Sequence, residues 1–168
     1  MIKIGIIGIG NSAINIHLPA LFKIKGTKVV SLFDIDFKNF KTVQQKFDII
    51  KMHNNDKEFF SDPNIDAVLI SSPNFEHYNH IIQSLMNGKH VISEKPFVLK
   101  KKQIFRIKKL ANKKKLICTC FLMQRFREPS IFLKDKIEKD YFGEIYHANL
   151  NIIFKKSDTI NKNYFVNK

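Results

Sequence analysis

The chain has 168 residues, 44% of them hydrophobic, and a formal net charge of +14. That length supports one domain with a real core and a small appendage, the composition excludes a disordered chain, and no apolar run approaches the roughly 20 residues that span a bilayer. Of the 29 basic residues only Arg106, Arg125 and Arg127 are arginine, which fits A/T-rich codon usage and a solvated lysine surface better than a surface that reads phosphates and bases with bidentate arginine.

The elements follow in chain order. "IKIGII" at the start reads as a buried strand, and not as a signal peptide, because glycines break the apolar run and no small-residue cleavage site follows. Residues 12–24 read as a helix kinked near Pro19. "KVVSLFD" is a second strand ending at Asp34, residues 36–47 a second helix, and "DII" a short third strand. "NDKEFF" forms a helical turn or two, closed by "SDPN", and "AVLIS" is the next strand. Over 74–87, Phe75, Tyr78, Ile81, Ile82, Leu85 and Met86 recur at helical spacing until Asn87-Gly88 stops the helix. "HVIS" is a strand, residues 100–112 a basic helix with Ile104, Ile107, Leu110 and Ala111 on its apolar side, and "LICTCF" one more strand.

The early strands are continuous apolar runs, as in strands covered on both faces, so the fold class is α/β: a doubly wound parallel sheet of the Rossmann kind. The chain changes character after a helix over 129–139. In "FGEIYHANLNIIF", Tyr146, Ala148, Leu150, Ile152 and Phe154 alternate with mostly polar residues, the signature of an antiparallel strand with one wet face. The sequence that follows is too short and polar to supply more than one partner strand. The expected organisation is a nucleotide-binding domain at 1–120 and, from 121 to 168, the incomplete start of an α+β domain. On that expectation the chain is a fragment, a truncated reading frame or a degenerate copy.

The motif that carries chemistry is "GIIGIGNSAINIHLPAL". Gly8 permits a tight turn after the first strand, and Gly10 lets the backbone approach a pyrophosphate. Asn11 and Ser12 open the helix, and Ala13 is small enough for close helix–strand packing. The helix N-terminus offers N–H groups to phosphate. Asp34 ends the next strand, where an acidic residue binds ribose hydroxyls; its carboxylate favours NAD and would repel the 2′-phosphate of NADP. The competing reading is a structural turn with Asp34 as a helix cap. A second constellation lies in residues 65–97. "SSPN" and "EKP" end two strands at the edge where open α/β sheets bind ligands. Asn74 reads equally as a helix N-cap or a polar contact to a cofactor. Lys95, held extended by the proline after it, could polarise a carbonyl or protonate an oxygen, but spacing alone reads it as one exposed lysine among many.

Other patterns carry less. Glu76, His77 and His80 in "EHYNH" lack a third ligand at metal spacing, so no metal is expected. Cys118 and Cys120 lie on one side of a strand as core residues, and their spacing suits a reducing cytoplasm rather than a disulfide. "YFVNK" spells Tyr-x-x-x-Lys, but it lies in the polar tail and the N-terminal glycine spacing is wrong for short-chain reductases. The lysine runs at 100–102 and 113–115 read as a solvated face.

Taken together, "DAVLISSPNFEHYNHIIQSLMNGKHVISEKPF", the N-terminal loop with the His and Pro that follow it, "QRFREP" and "FGEI" resemble the signature of the glucose-fructose oxidoreductase / inositol dehydrogenase / rhizopine-catabolism (Gfo/Idh/MocA) family, over residues 2 to about 154. The resemblance implies an NAD(P)-dependent oxidoreductase acting on a sugar, sugar derivative or polyol, with homo-oligomers common in the family. It implies that Gly8, Gly10 and Asp34 hold the cofactor, that Ser72, Pro73 and Asn74 lie beside its ribose and nicotinamide with Glu94 nearby, and that Lys95 is the catalytic lysine. It further implies a cis peptide at Pro96, a place for His77 near the nicotinamide, and a match of Arg125 to the arginine after the last strand of the nucleotide domain. Family members are about twice as long, and a later Gly-rich segment with an Asp and a His completes their acid–base machinery; here Gly143 is the last glycine. The alternative function is therefore a non-catalytic dinucleotide-binding or regulatory module. A basic nucleic-acid binder is a further alternative that the scarcity of arginine disfavours.

Overall fold

The computed structural model describes residues 1–36, 38–47, 51–53 and 55–151, with Lys38 and Asn39 described by backbone alone. The chain divides into two compact units, Met1–Gln124 and Arg125–Lys168. The first is built on β1 (Ile2–Ile7), β2 (Thr27–Phe33), β3 (Lys51–Met52), β4 (Ala67–Ile70), β5 (His90–Ser93) and β6 (Cys118–Cys120), in the order β3-β2-β1-β4-β5-β6. Every adjacent pair is parallel. The order reverses between β1 and β4, which is where doubly wound sheets open a crevice at their carboxyl ends.

Two apolar layers account for the continuous hydrophobic runs. On one face Ile4 and Ile6 of β1, Val29 and Leu32 of β2, and Leu69 of β4 pack with Ala13 and Leu18 from the first crossover and with Phe40 and Val43 of α2 (Lys38–Lys46). On the other, Ile7, Phe33, Val68, Ile70 and Val91 pack with Phe59 and Phe60 of α3 (Asp56–Ser61), Ile81 and Leu85 of α4 (His77–Met86), and Ile107 and Ala111 of α5 (Lys101–Lys114). Each fully buried Ile, Leu or Phe contributes about 1.5–3 kcal/mol of transfer free energy, so strands clad on both faces carry most of the stability.

The first crossover is helical from 11 to 21, but over Ala13–His17 it takes a π register, with Leu18 N donating to Ala13 O; the short α1 (Leu18–Leu21) follows, and Pro19, which has no N–H to continue the ladder, stands just after the π segment. The expected strand "DII" at 48–50 lies outside the described residues; the described third strand is Lys51–Met52. The helix expected from residue 74 begins at His77, with Glu76 in the N-cap position and no side-chain cap, so the N-cap reading of Asn74 does not hold.

A polar cluster sits inside this unit. The Asp62 carboxylate, 1% exposed, accepts from Lys51 Nζ at 2.8 Å, lies 3.1 Å from His53 Nε2 and 3.3 Å from the Ser31 hydroxyl, and accepts the Asn64 N–H. Lys89, also buried, donates to the Asp62 carbonyl at 2.6 Å. Burial alone would raise the Asp62 carboxyl, but the hydrogen bonds from Lys51 and Asn64 outweigh it and hold the group well below the usual carboxylate range. Burial, helped by the Lys51 charge, lowers His53.

In the second unit α6 spans Glu128–Glu138 with Pro129 in its first turn, and none of its residues is buried. The strand expected at 146–154 is not formed over residues 146–151, and Ile152, Ile153 and Phe154 lie outside the described residues. Alternation can only predict a strand that has a ladder partner. Here Tyr146 is 98% exposed and Leu150 79%.

Candidate functional site

The parallel register aligns the strand ends. Phe33 pairs with Ile7, Ile7 with Ile70, Ile70 with Ser93 and Ser93 with Cys120. The residues that follow therefore form one rim: Gly8, Asp34, Ser71, Glu94 and Phe121. Their backbones are joined across it, since Gly8 N donates to Phe33 O, Ser71 N to Ile7 O, Glu94 N to Ile70 O and Phe121 N to Ser93 O.

Gly8 turns the chain with φ +87°, and a Cβ placed on it would stand 2.3 Å from Ser72 N. Only glycine tolerates both the dihedral and the approach. Gly10 is the reverse case: a Cβ there would meet nothing within 4 Å, so the backbone is open to an incoming group. Asn11 hydrogen-bonds through its side chain to Asn15, Ser12 occupies the helix N-cap with helical dihedrals and no side-chain cap, and Ala13 is fully buried against the sheet. Asp34 reaches back to the same loop: its Oδ2 accepts from Ile9 N at 2.5 Å and its Oδ1 from Asp36 N at 2.9 Å. Those bonds leave acceptor capacity on both carboxylate oxygens. An open Cα at Gly10, first-turn amides without intrahelical acceptors and a carboxylate beside the loop are the features a dinucleotide requires.

On the other side of the switch point, Ser72 is buried with its hydroxyl 2.8 Å from His80 Nδ1, Pro73 is exposed and Asn74 half-buried. Burial lowers His80. Glu94 contacts His17 Nε2 at 2.9 Å through Oε1 and accepts Lys95 N at 3.0 Å through Oε2. The Lys95–Pro96 peptide is cis, and Lys95 is exposed, with no ion-pair partner among the described residues. Arg125 is exposed at the start of the second unit.

His77, expected near the nicotinamide, is enclosed by the protein. The ring is fully buried, with Nδ1 2.8 Å from Pro96 O and Nε2 2.9 Å from Ser72 O. It has no free surface to offer a nicotinamide and instead ties two loops together. His17, also buried and in edge contact with Phe121, was not among the candidate residues. Its signal was a histidine four residues after Ala13, on the helix side that faces the sheet. Among the described residues no group of three His, Cys, Asp or Glu is placed to hold a metal. Cys118 and Cys120 are free and partly buried, and burial pushes the Cys118 thiol up to about 12.

Residues 2–121 match the family described as an oxidoreductase family with an NAD-binding Rossmann fold, Gfo/Idh/MocA. The chain belongs to the Gfo/Idh/MocA oxidoreductase family. It is 28% identical over 165 residues to the glucose-6-phosphate 3-dehydrogenase of Bacillus subtilis, covering 98% of this chain and 45% of that enzyme. It is 28% identical over 142 residues to the myo-inositol 2-dehydrogenase of Thermotoga maritima, covering 84% and 42%. The structure of scyllo-inositol dehydrogenase from Lactobacillus casei with bound NAD(H) and scyllo-inositol superposes with a TM-score of 0.80 at 26% identity, over 86% of this chain and 43% of that one. The chain thus spans less than half the length of these Gfo/Idh/MocA relatives. No helix among the described residues is long and apolar enough to cross a membrane.

Proposed function

We propose that this chain is the dinucleotide-binding part of an oxidoreductase that transfers hydride between NAD(H) and a hydroxyl- or carbonyl-bearing carbon of a sugar or polyol. The observation that carries the reading is the rim itself: one open-backbone turn, one carboxylate and one lysine-bearing loop follow β1, β2 and β5 at the same edge of one parallel sheet. When bound, the nicotinamide supplies the hydride donor or acceptor; the protein's part is to hold, orient and move a proton. Gly8 sets the turn and Gly10 admits the pyrophosphate to the amides of Asn11, Ser12 and Ala13. Asp34 accepts from the ribose hydroxyls, and its charge selects NAD over NADP. Ser72, Pro73, Asn74 and Glu94 border the pocket. Lys95 is the catalytic group, donating to the oxygen of a carbonyl substrate or taking the proton from an alcohol in the reverse direction. Relatives named for inositol and hexose-phosphate dehydrogenation support a polyhydroxylated substrate.

Titration of NADH fluorescence tests this. Wild type binds NADH and Lys95→Ala binds nearly as well, whereas Asp34→Ala loses at least tenfold in affinity. Absence of NADH binding by the wild type refutes the proposal. Binding without polyol oxidation at any pH assigns the chain to a non-catalytic dinucleotide-binding role.

A further inference from the structure

Lys95, beside the rim, is the residue that the proposed function makes a proton donor, yet among the described residues no hydrogen bond or ion pair holds its side chain. Its two neighbours in sequence are held instead. On one side, Glu94 Oε1 lies 2.9 Å from His17 Nε2, and Glu94 Oε2 accepts the Lys95 N–H at 3.0 Å. On the other, Pro96 O lies 2.8 Å from His77 Nδ1. Both rings are buried, at 3% and 0% exposure. A carboxylate or carbonyl oxygen only accepts here, so His17 Nε2 donates to Glu94, and the bracket requires the His77 Nδ1–H to donate to Pro96 O.

The two histidines come from different places. His17 closes the π turn after the dinucleotide loop, and His77 opens α4. His77 Nε2 also lies 2.9 Å from Ser72 O, and Ser72 is the residue against which Gly8 packs. The contacts therefore close a ring: Gly8 to Ser72, Ser72 to His77, His77 to Pro96, through Lys95 to Glu94, and from Glu94 to His17 on the segment that follows Gly10.

We infer that His17 and His77 are paired positioning residues for Lys95, fixing the backbone on either side of it to the dinucleotide loop so that the ammonium projects from a set point on the rim. The inference rests on the proposed function for the role of Lys95, but the bracket itself exists without cofactor. It assigns His17 a function and moves His77 from cofactor contact to loop tie.

The contacting nitrogens give an asymmetric test. Glutamine places its amide nitrogen near the His Nε2 position, and asparagine near Nδ1. Amide hydrogen exchange of segment 94–98, measured without cofactor in His17→Gln, His17→Asn, His77→Gln and His77→Asn, should show opposite preferences. Gln at 17 and Asn at 77 should stay near wild type. Asn at 17 and Gln at 77 should exchange roughly tenfold faster, as expected for one lost hydrogen bond. General loosening of the core by an amide would favour the same residue at both positions, and that result, or no difference at either, overturns the inference.

The wild-type chain gives a second reading if a variant does not fold. Long-range 1H–15N spectra should show hydrogen on His17 Nε2 and on His77 Nδ1, the latter in slow exchange with solvent. Absence of hydrogen from either nitrogen, or rapid exchange at His77 Nδ1, overturns the inference. Adding NADH separates the two proposals. Slower exchange at 94–98 on NADH addition supports the cofactor site, whereas an NADH-insensitive segment with opposite amide preferences refutes the cofactor site alone.

Discussion

Gly8 and Ser72 touch through their backbones: a Cβ at residue 8 would stand 2.3 Å from Ser72 N and 2.5 Å from Ser71 C. Neither atom is the end of a flexible side chain, and φ is +87°. Gly8→Ala should therefore destabilise the fold by roughly 2–5 kcal/mol through strain and overpacking, read as a lower urea midpoint. Gly10→Ala separates the two glycines. Open space surrounds its Cα, so stability should change by less than about 1 kcal/mol while NADH affinity falls at least tenfold. Equal stability losses at both positions would contradict this account of the loop.

The carboxylate of Asp34 accepts two backbone N–H groups, from Ile9 and Asp36. Asp34→Asn keeps an acceptor but removes the charge, which should narrow the preference for NADH over NADPH about tenfold by relieving repulsion of the 2′-phosphate. Fluorescence titration with both cofactors measures the ratio, and an unchanged ratio would refute charge-based selection.

The buried cluster around Asp62 makes stability depend on acid. His53 is lowered from its ordinary value of 6.5, so the folded state resists protonation that the unfolded chain accepts. Its contribution is full above about 6.5 and falls as pH drops through the lower folded value. His80, lowered by burial, acts in the same direction. Asp62 is also lowered, so its contribution is full above the ordinary carboxylate range, near 4, and is lost below it. The urea midpoint should fall from pH 7.5 to pH 5 and further below pH 4. His53→Gln should flatten the first of these declines, and a flat wild-type profile between pH 7.5 and 5 would rule the mechanism out.

The rim residues follow separate strands, so a ligand that spans them cross-links the sheet. NADH at 100 times its dissociation constant should add about 2.7 kcal/mol, which for a chain of this size raises the unfolding temperature by roughly 5–10 °C. Differential scanning fluorimetry reads the shift, and at the same NADH concentration the Gly10→Ala variant should show no more than about half of it.

The parallel sheet was legible because β1, β2, β4 and β5 are buried on both faces, which writes unbroken apolar runs into the sequence. The glycine turn and Asp34 were legible because a tight turn and a strand-end acid tolerate few residue types. The π turn was not, since Ala13–His17 has ordinary helix formers and differs only in hydrogen-bond register. The strand expected near Tyr146 failed because period-two alternation states which face would be buried, not whether a partner strand is there. The backbone contacts of His77 were not legible because a motif position identifies a residue near a site without saying which way its ring faces. His17 was passed over because its partner, Glu94, is 77 residues away in sequence, and no local pattern reports that contact.

The unburied α6 has a practical consequence for the chain in solution. Ile131, Phe132, Tyr146 and Leu150 all present apolar surface to water, on molecules that repel one another through a charge of +14. Moderate salt shortens that repulsion to about 8–10 Å without shielding the greasy patches. Concentrated stocks should therefore stay clear in dilute buffer and turn cloudy as sodium chloride is added, a salting-out threshold that Phe132→Ser and Leu150→Ser would push upward.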